Sequence, residues 1–377
     1  MIGKLDIVTL QQIWWILCSV VGALFLFLTF VQGGQTLLWQ VAKDDREKSL
    51  IINSLGRKWE LTFTTLVLFG GALFAAFPKF YATSFGGAYW VWILILFTFI
   101  VQAVSYEYRT KPNNLLGATF YELFLFINGS VGILLIGAAV GTFFTGSNFT
   151  LNSFNQVTWT NPLRGLEAAF SLFNLSLGLF LVFNARVLGA MYLVNNIDFN
   201  GVPEFESRIR KSCLVSFILA LPFLLYVVVS LLLIDGFSVD KSGVVSMVAN
   251  KYLHNLLAMP VVLGLLLVGL FLVILGVTRT SLAKSTTGIW FGGLGTVLVG
   301  LAVFFTAGFN NTPFYPSKAD LQSSLTIFNA SSSHYTLTAM TYVALAIPFV
   351  LAYIAYVWRQ MDSKKIGSQD LADKKAY

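Results

Sequence analysis

Residues 43–78 read KDDREKSLIINSLGRKWELTFTTLVLFGGALFAAFP, and this stretch decides the fold. It opens as a charged segment and then, from Glu60 onward, becomes an apolar run with several Gly and Ala residues. An apolar helix of about 20 residues can cross a bilayer, and small residues allow a second helix to pack closely against it. The stretch therefore predicts a membrane-spanning helix preceded by a charged loop.

The composition of the whole chain indicates the same environment. Of its 377 residues, 56% are hydrophobic and 11% are charged, whereas soluble proteins carry about 25% charged residues. Such a chain cannot cover itself with polar surface, so we expect an integral membrane protein. The net charge of +7 fits basic loops of a membrane protein. Nucleic-acid binding is not indicated, because no long basic patch is interleaved with aromatic residues.

Nine hydrophobic segments predict an all-α integral membrane protein with about nine transmembrane helices. They cover residues 13–39, 61–78, 89–106, 118–145, 165–184, 213–234, 257–277, 286–309 and 338–358. We expect a single polytopic membrane domain at residues 1–360, with an ordered extracytoplasmic loop at about 310–337. A charged cytoplasmic tail, residues 361–377, follows, and we expect it to be frayed.

The distribution of Lys and Arg predicts the orientation. Eighteen of these 24 residues fall in loops after odd-numbered segments or in the C-terminal tail, and six fall on the other side. Cytoplasmic loops carry the excess of positive charge. We therefore expect the N-terminus outside and the C-terminus in the cytoplasm. Arg186 is counted in this bias as part of the loop after the fifth segment.

Three acids near the predicted cytoplasmic face are candidates for handling protons. Glu60 begins the second apolar helix, where it is either a site of proton uptake or a helix-start acid in the headgroup layer beside Arg57 or Lys58. Glu122 begins the fourth segment and Glu107 ends the third. These two acids and Arg109 form either an ion-pair anchor at the membrane face or part of a transport path.

Polar residues also interrupt the first segment, which contains Gln32-Gly33-Gly34-Gln35. Amides form hydrogen bonds between helices, and glycines permit close approach. One interpretation is helix–helix packing, and the other is a polar niche for water or for the headgroup of a ligand.

The sequence predicts no cofactor or metal bound by this chain. A membrane haem needs axial ligands inside its bundle, but the two histidines, His254 and His334, fall in predicted outside loops. Cys18 and Cys213 lie in apolar segments without CxxC spacing, so we expect packing roles for them. Nucleotide-binding motifs and a Ser/His/Asp set are also missing. Any redox cofactors are therefore expected in a partner protein.

Several motifs taken together are similar to those of one protein family. They are INSLGRKWE at 52–60, GGALFAAFP at 70–78, YEYRTK at 106–111, NPL at 161–163 and SSLTIFNASSSHYTLTAMT at 323–341. Through them, and over essentially its full length, the chain resembles subunit II of the cytochrome bd-type quinol oxidase family. The predicted nine-helix layout also suits that family.

The resemblance implies a role in a bacterial inner-membrane oxidase that takes electrons from quinol and reduces oxygen to water, generating a proton-motive force. Haem b and haem d are then expected in partner subunit I, which this chain scaffolds. Glu60, Glu122 and Glu107 match family acids and are implied in a cytoplasmic proton pathway. Further implied partners are membrane lipid, a bound quinone and small single-helix subunits.

The sequence departs from the family pattern in two places. Where many members have TDGFD, this chain has VQGGQ, so two acids are replaced by Gln32 and Gln35. Where members have Arg-Pro, it has Gln102-Ala103. These substitutions suggest a charge cluster that was removed as a unit, leaving a polar niche of Gln32, Gln35 and Gln102. Two alternatives to the oxidase subunit are a secondary transporter and a purely structural membrane subunit.

Overall fold

The computed structural model describes residues 2–372. Within this range, nine helical stretches are long and apolar enough to cross a membrane, as the sequence predicts. They are Ile7–Val41, Asp45–Ala76, Tyr89–Tyr108, Ala118–Thr145, Leu172–Asn196, Pro203–Leu233, Pro260–Ser281, Gly288–Gly308 and His334–Met361. Lys374 and Lys375 of the predicted tail lie outside the described residues.

Some of these stretches consist of two or three helical pieces. The helices in chain order are α1 (Ile7–Leu28), α2 (Phe30–Val41), α3 (Asp45–Gly56), α4 (Trp59–Ala76), α5 (Pro78–Tyr81), α6 (Tyr89–Tyr108), α7 (Ala118–Ile127), α8 (Ile133–Thr145), α9 (Leu172–Asn196), α10 (Pro203–Leu233), α11 (Lys251–Ala258), α12 (Pro260–Ser281), α13 (Gly288–Gly308), α14 (His334–Ala344) and α15 (Ile347–Met361). A π-helical turn, Asn128–Gly132, joins α7 to α8.

The centre of the bundle is formed by α2 and α9, whose backbones touch. A methyl group at Gly33 would lie 1.7 Å from the carbonyl oxygen of Ala185, and one at Gly189 would lie 2.3 Å from the Gly34 nitrogen. Only glycine allows so close an approach. Gly33 of α2 and Gly189 of α9 therefore set the distance between these two helices.

The fifth membrane segment extends further than the sequence predicts. Helix α9 continues to Asn196, so Arg186 lies within the helix and not in the following loop. The prediction was wrong because a charge in an apolar run was read as its end. The guanidinium instead finds acceptors on neighbouring helices, donating to the Thr36 carbonyl at 3.0 Å and to Gln40. With those hydrogen bonds the helix can continue past the charge.

One end of the bundle, here called the cap end, is covered by two antiparallel hairpins and by residues 310–337. The hairpins are β1 (Phe149–Leu151) with β2 (Val157–Trp159), and β3 (Gly236–Val239) with β4 (Val245–Val248). Tyr315 of the cap is buried and pairs with Leu325. Burial raises the pKa of Tyr315 to about 12, so its phenol stays protonated.

The opposite end, called the basic end, carries α3 and the C-terminal segment. Lys58 is fully buried there, and its Nζ donates to Oδ1 of Asp362 at 2.8 Å. The same oxygen accepts from Asn196, which in turn accepts from Ser54. Ile366 is also fully buried and forms a bridge with Ile197. The expectation of a frayed tail is therefore wrong for these residues, because the buried ion pair and Ile366 hold the tail against the bundle.

Replacing Lys58 by Met is expected to destabilise the protein by about 3–5 kcal/mol, because Asp362 is then left without its buried partner. The measurement is thermal unfolding of the purified protein, together with proteolysis of the tail. Lys364→Met is the matched control, since its pair with Asp370 is exposed and is worth about 0–1 kcal/mol. Equal melting temperatures for the two variants would contradict the assignment.

Candidate functional site

A charged cluster closes the basic end between α2, α3, α6 and α7. Glu122 is 1% exposed, and its Oε1 accepts from Arg109 Nε and Nη2 at 3.2 and 2.9 Å. Its Oε2 accepts from Lys48 Nζ and Trp39 Nε1, both at 3.0 Å. Four donors therefore surround one buried carboxylate, which joins four helices. We call these residues the Glu122 cluster.

Above this cluster, polar side chains line the contact between α2 and α6. Gln35 Nε2 donates to the Tyr106 hydroxyl at 3.0 Å, and Gln32 Nε2 approaches Gln102 Oε1 at 3.5 Å. The spacing explains this alignment, because positions three, four and seven apart lie on one helix face. Gln32, Gln35 and Trp39 follow that spacing on α2, as Gln102, Tyr106 and Arg109 do on α6.

The π-helical turn adds a third pair next to Gln32. Asn128 is fully buried at the start of this turn, and its Nδ2 lies 3.4 Å from Thr98 Oγ1. A methyl group at Gly129 would lie 2.2 Å from the Gln32 carbonyl oxygen, so the turn packs directly on α2. Such turns inside α-helices are frequent at functional sites. We call Gln35, Tyr106, Gln32, Gln102, Asn128 and Thr98 the polar column.

Several buried atoms in and beside the polar column have no hydrogen-bond partner within residues 2–372. They are Gln32 Oε1, Gln35 Oε1, Gln102 Nε2, Asn128 Oδ1 and Trp59 Nε1. Buried polar groups are nearly always satisfied, if not by protein then by ordered water. Donors and acceptors gathered in one place are therefore suited to hold water. At a rise of 1.5 Å per residue, the Glu122 cluster and the column together reach about 10 Å along α2, from Trp39 to Gln32.

The three acids predicted from the sequence are not brought together. Glu122 is buried in its cluster, whereas Glu60 and Glu107 are exposed and form no ion pair within residues 2–372. Neither neighbour proposed for Glu60 contacts it, since Lys58 bonds to Asp362 and Arg57 donates to the Met361 carbonyl. Glu60 follows Trp59, whose ring stacks on Tyr106 of the column with centroids 5.8 Å apart.

Sequence reasoning missed five residues of the site, namely Lys48, Trp39, Asn128, Tyr106 and Thr98. Lys48 and Trp39 bond to Glu122 across 74 and 83 residues, and no local signal marks them. Asn128 does have a signal, because Asn-Gly-Ser interrupts the fourth apolar segment much as Gln-Gly-Gly-Gln interrupts the first.

The two histidines, a residue type that commonly ligates haem, lie outside the buried interior of the bundle. His254 and His334 are exposed at the cap end, and His334 Nε2 bonds to the Leu5 carbonyl at 2.8 Å. Within residues 2–372, no three His, Cys, Asp or Glu side chains gather to hold a metal ion.

Comparison with known proteins identifies the family. A family model described as cytochrome bd terminal oxidase subunit II matches residues 10–361. The chain belongs to this family. The resemblance drawn from the sequence motifs is thereby confirmed. The subunit is a multi-pass protein of the bacterial cytoplasmic membrane, and it forms part of an oxidase complex whose cytochrome character implies haem.

Individual relatives cover nearly the whole subunit. It is 28% identical over 377 residues to cytochrome bd-I ubiquinol oxidase subunit 2 of Escherichia coli (strain K12), covering 95% of both chains. It is 24% identical over 366 residues to cytochrome bd ubiquinol oxidase subunit 2 of Bacillus subtilis (strain 168), covering 95% of this chain and 98% of the relative. A chain of the bd oxidase from Geobacillus thermodenitrificans has the same fold, with TM-score 0.63 at 15% identity, over 95% of this chain and 100% of that one.

Introducing Asp at both Gln32 and Gln35 is expected to destabilise the subunit by about 3 kcal/mol or more, because buried carboxylates would lack a cation. Adding Gln102→Arg should restore part of the loss, since position 102 faces Gln32. The measurement is the melting temperature of the purified complex.

Gln12→Asp, at an exposed position of α1, is the matched control for these substitutions and should leave the melting temperature unchanged. An unchanged melting temperature of the double variant would contradict the hypothesis that the family's acids at positions 32 and 35 and its Arg at position 102 were lost together.

Proposed function

We propose that this chain is the non-haem subunit of a complex that oxidises membrane quinol and reduces oxygen to water. In this proposal it scaffolds the haem-bearing subunit I and carries protons toward the oxygen site. The haems, when bound in subunit I, supply the electron transfer and the oxygen chemistry. The names of the relatives, which are ubiquinol oxidase subunits, support this assignment.

The proposed orientation has the N-terminus outside and the basic end in the cytoplasm. The distribution of Lys and Arg supports this orientation, because the larger share of these residues follows odd-numbered spans. Cytoplasmic loops carry the excess of positive charge. With Arg186 moved from a loop into α9, seventeen basic residues remain on that side against six on the other, so the bias persists. In this orientation the Glu122 cluster and Glu60 face the side from which protons for water are drawn, and residues 310–337 face outward.

The polar column is the observation that carries the proposed proton route. Its unsatisfied atoms are suited to hold water between Trp59 and Asn128, inside an otherwise apolar bundle. Water held between fixed hydrogen-bonding groups can relay protons without any ionisable side chain at each step. The column begins next to the Glu122 cluster, which fixes the helices that line it.

Glu60 is proposed as the acid that exchanges protons with the cytoplasm. It is exposed at the start of α4, and Trp59 beside it reaches the column through Tyr106. Glu107 is exposed at the same end, where it adds a surface carboxylate near the column. Thr62, Thr64 and Thr65 do not extend the route, because each donates its hydroxyl to a backbone carbonyl.

The alternatives differ in what they require. A secondary transporter needs broken helices in both halves around a midplane site, and the polar column draws only on residues 32–128. A purely structural subunit fits the same fold but assigns no role to the unsatisfied atoms of the column.

Purification in mild detergent distinguishes these classes. The oxidase assignment expects a larger subunit to co-purify, with a visible spectrum showing b- and d-type haem bands. A colourless chain that purifies alone would instead favour the transporter.

Glu60→Gln is expected to slow oxygen reduction by the complex about tenfold or more, because the amide cannot exchange a proton. The haem bands should be unchanged, since Glu60 is exposed and its loss leaves no buried charge. The measurement is oxygen consumption with a saturating quinol.

Asp45→Asn is the matched control for this experiment, because Asp45 is an exposed acid at the same end with its side chain 95% exposed. It should retain wild-type turnover. Gln102→Leu tests the column itself and should slow turnover while leaving the haem bands intact. Wild-type turnover of both Glu60→Gln and Gln102→Leu would leave the purely structural subunit as the better description.

A further inference from the structure

At the basic end, Arg186 of α9 reaches the surface between α2 and α10, which we call the Arg186 groove. The guanidinium donates to the Thr36 hydroxyl at 2.9 Å and to the Ser216 hydroxyl at 3.4 Å. A further hydrogen bond reaches Gln40, which is exposed one turn nearer the end of α2. The side chain thus extends from the middle of α9 toward the end of α2.

Arg186 has no anionic partner within residues 2–372. Thr36, Gln40 and Ser216 are neutral, and no carboxylate of the described residues lies within 4.0 Å of it. A cation in a membrane helix is costly unless it is paired. The charge of Arg186 therefore requires an anion from outside residues 2–372.

The mouth of the groove is also positive. Arg208 donates to the Val41 carbonyl at 2.8 Å and thereby ties α10 to the end of α2. Lys43 is exposed after α2, and Lys211 is exposed one turn beyond Arg208. The nearby acids Glu47 and Glu204 pair with Arg208, and Glu204 also lies 3.9 Å from Lys43. Lys211 forms no ion pair within residues 2–372, so its charge, like that of Arg186, is not compensated there.

Beyond Arg186, toward the middle of the bundle, the groove becomes apolar. Phe183 lies one turn from Arg186 on α9 and stacks on Phe223 of α10, with ring centroids 5.8 Å apart. Val215 and Leu219 lie between Arg208 and Phe223 in α10, on the same side of that helix. Both are exposed. A basic mouth followed by an exposed apolar wall repeats the order of a phospholipid, with the phosphate at the surface and the acyl chains beneath it.

We propose that this groove binds an anionic phospholipid, whose phosphate pairs with Arg186, with Lys211 at the mouth, and whose acyl chain lies along Phe183 and Leu219. The lipid phosphate supplies the counter-charge that Arg186 lacks within residues 2–372. An acid of a partner protein would match the charge but not the apolar wall, and free phosphate would match the mouth alone. This inference does not depend on the proposed proton route.

The test uses the whole purified complex after delipidation with detergent. Phosphatidylglycerol is titrated in, and the melting temperature and the number of bound lipids, counted by native mass spectrometry, are recorded. The wild-type complex should bind the lipid saturably with a rise in melting temperature. Arg186→Gln should weaken that binding about tenfold or more, since a charge-assisted phosphate contact is lost. Phosphatidylcholine and inorganic phosphate should not reproduce the rise.

Two further variants keep the result interpretable. Lys211→Gln, an exposed change that the fold tolerates, should weaken binding about fivefold even if Arg186→Gln fails to assemble. Lys111→Gln removes an exposed charge from the loop after α6 and should bind as the wild type does. Equal binding by Lys111→Gln and Lys211→Gln would overturn the proposal. So would an assembly defect in Arg186→Gln without any change in lipid binding by Lys211→Gln, since that result points to a partner acid.

Discussion

The backbone contact between α2 and α9 is the constraint on which the rest of this structure depends. Gly33 and Gly189 allow it, and Gly129 closes on the other side of α2. As a result, every residue from Phe30 to Leu38 is buried. Polar groups on such a helix cannot turn to lipid or to bulk water. The partners of Gln32 and Gln35 must therefore come from neighbouring helices or from enclosed water.

This enclosure divides the polar residues of α2 between two regions. Gln32 and Gln35 face α6 and form one side of the polar column. Thr36 and Gln40 face α9 and accept hydrogen bonds from Arg186. The column is buried and uncharged, whereas Arg186 is half-buried and positive. One helix therefore contributes both to the buried column and to the hydrogen bonds of Arg186, because its neighbours are held close on different sides.

Local patterns explain which parts of the fold the sequence predicts. The nine spans follow from runs of hydropathy, and close helix packing follows from Gly33 and Gly34, since both signals are contained in a few consecutive residues. Pairings across the chain have no such signal. Lys58 and Asp362 are 304 residues apart, and only the folded bundle shows that Lys58 is buried. The end of the fifth span was predicted wrongly at Arg186, because hydropathy takes the charge into account but not the hydrogen-bond acceptors that the folded chain provides for it.

The substitution of amides for acids bears on how the proposed route can work. Gln32 and Gln102 can orient water but cannot hold a proton, so any ionisable step must lie at the ends of the column. Glu122 is poorly suited to that step, because Arg109, Lys48 and Trp39 already occupy both of its oxygens. The Glu122 carboxylate instead holds the surrounding helices together and provides a fixed negative charge beside the column. Glu60 is exposed and makes no ion pair within residues 2–372, so in the proposed route it is the carboxylate free to exchange protons with solvent.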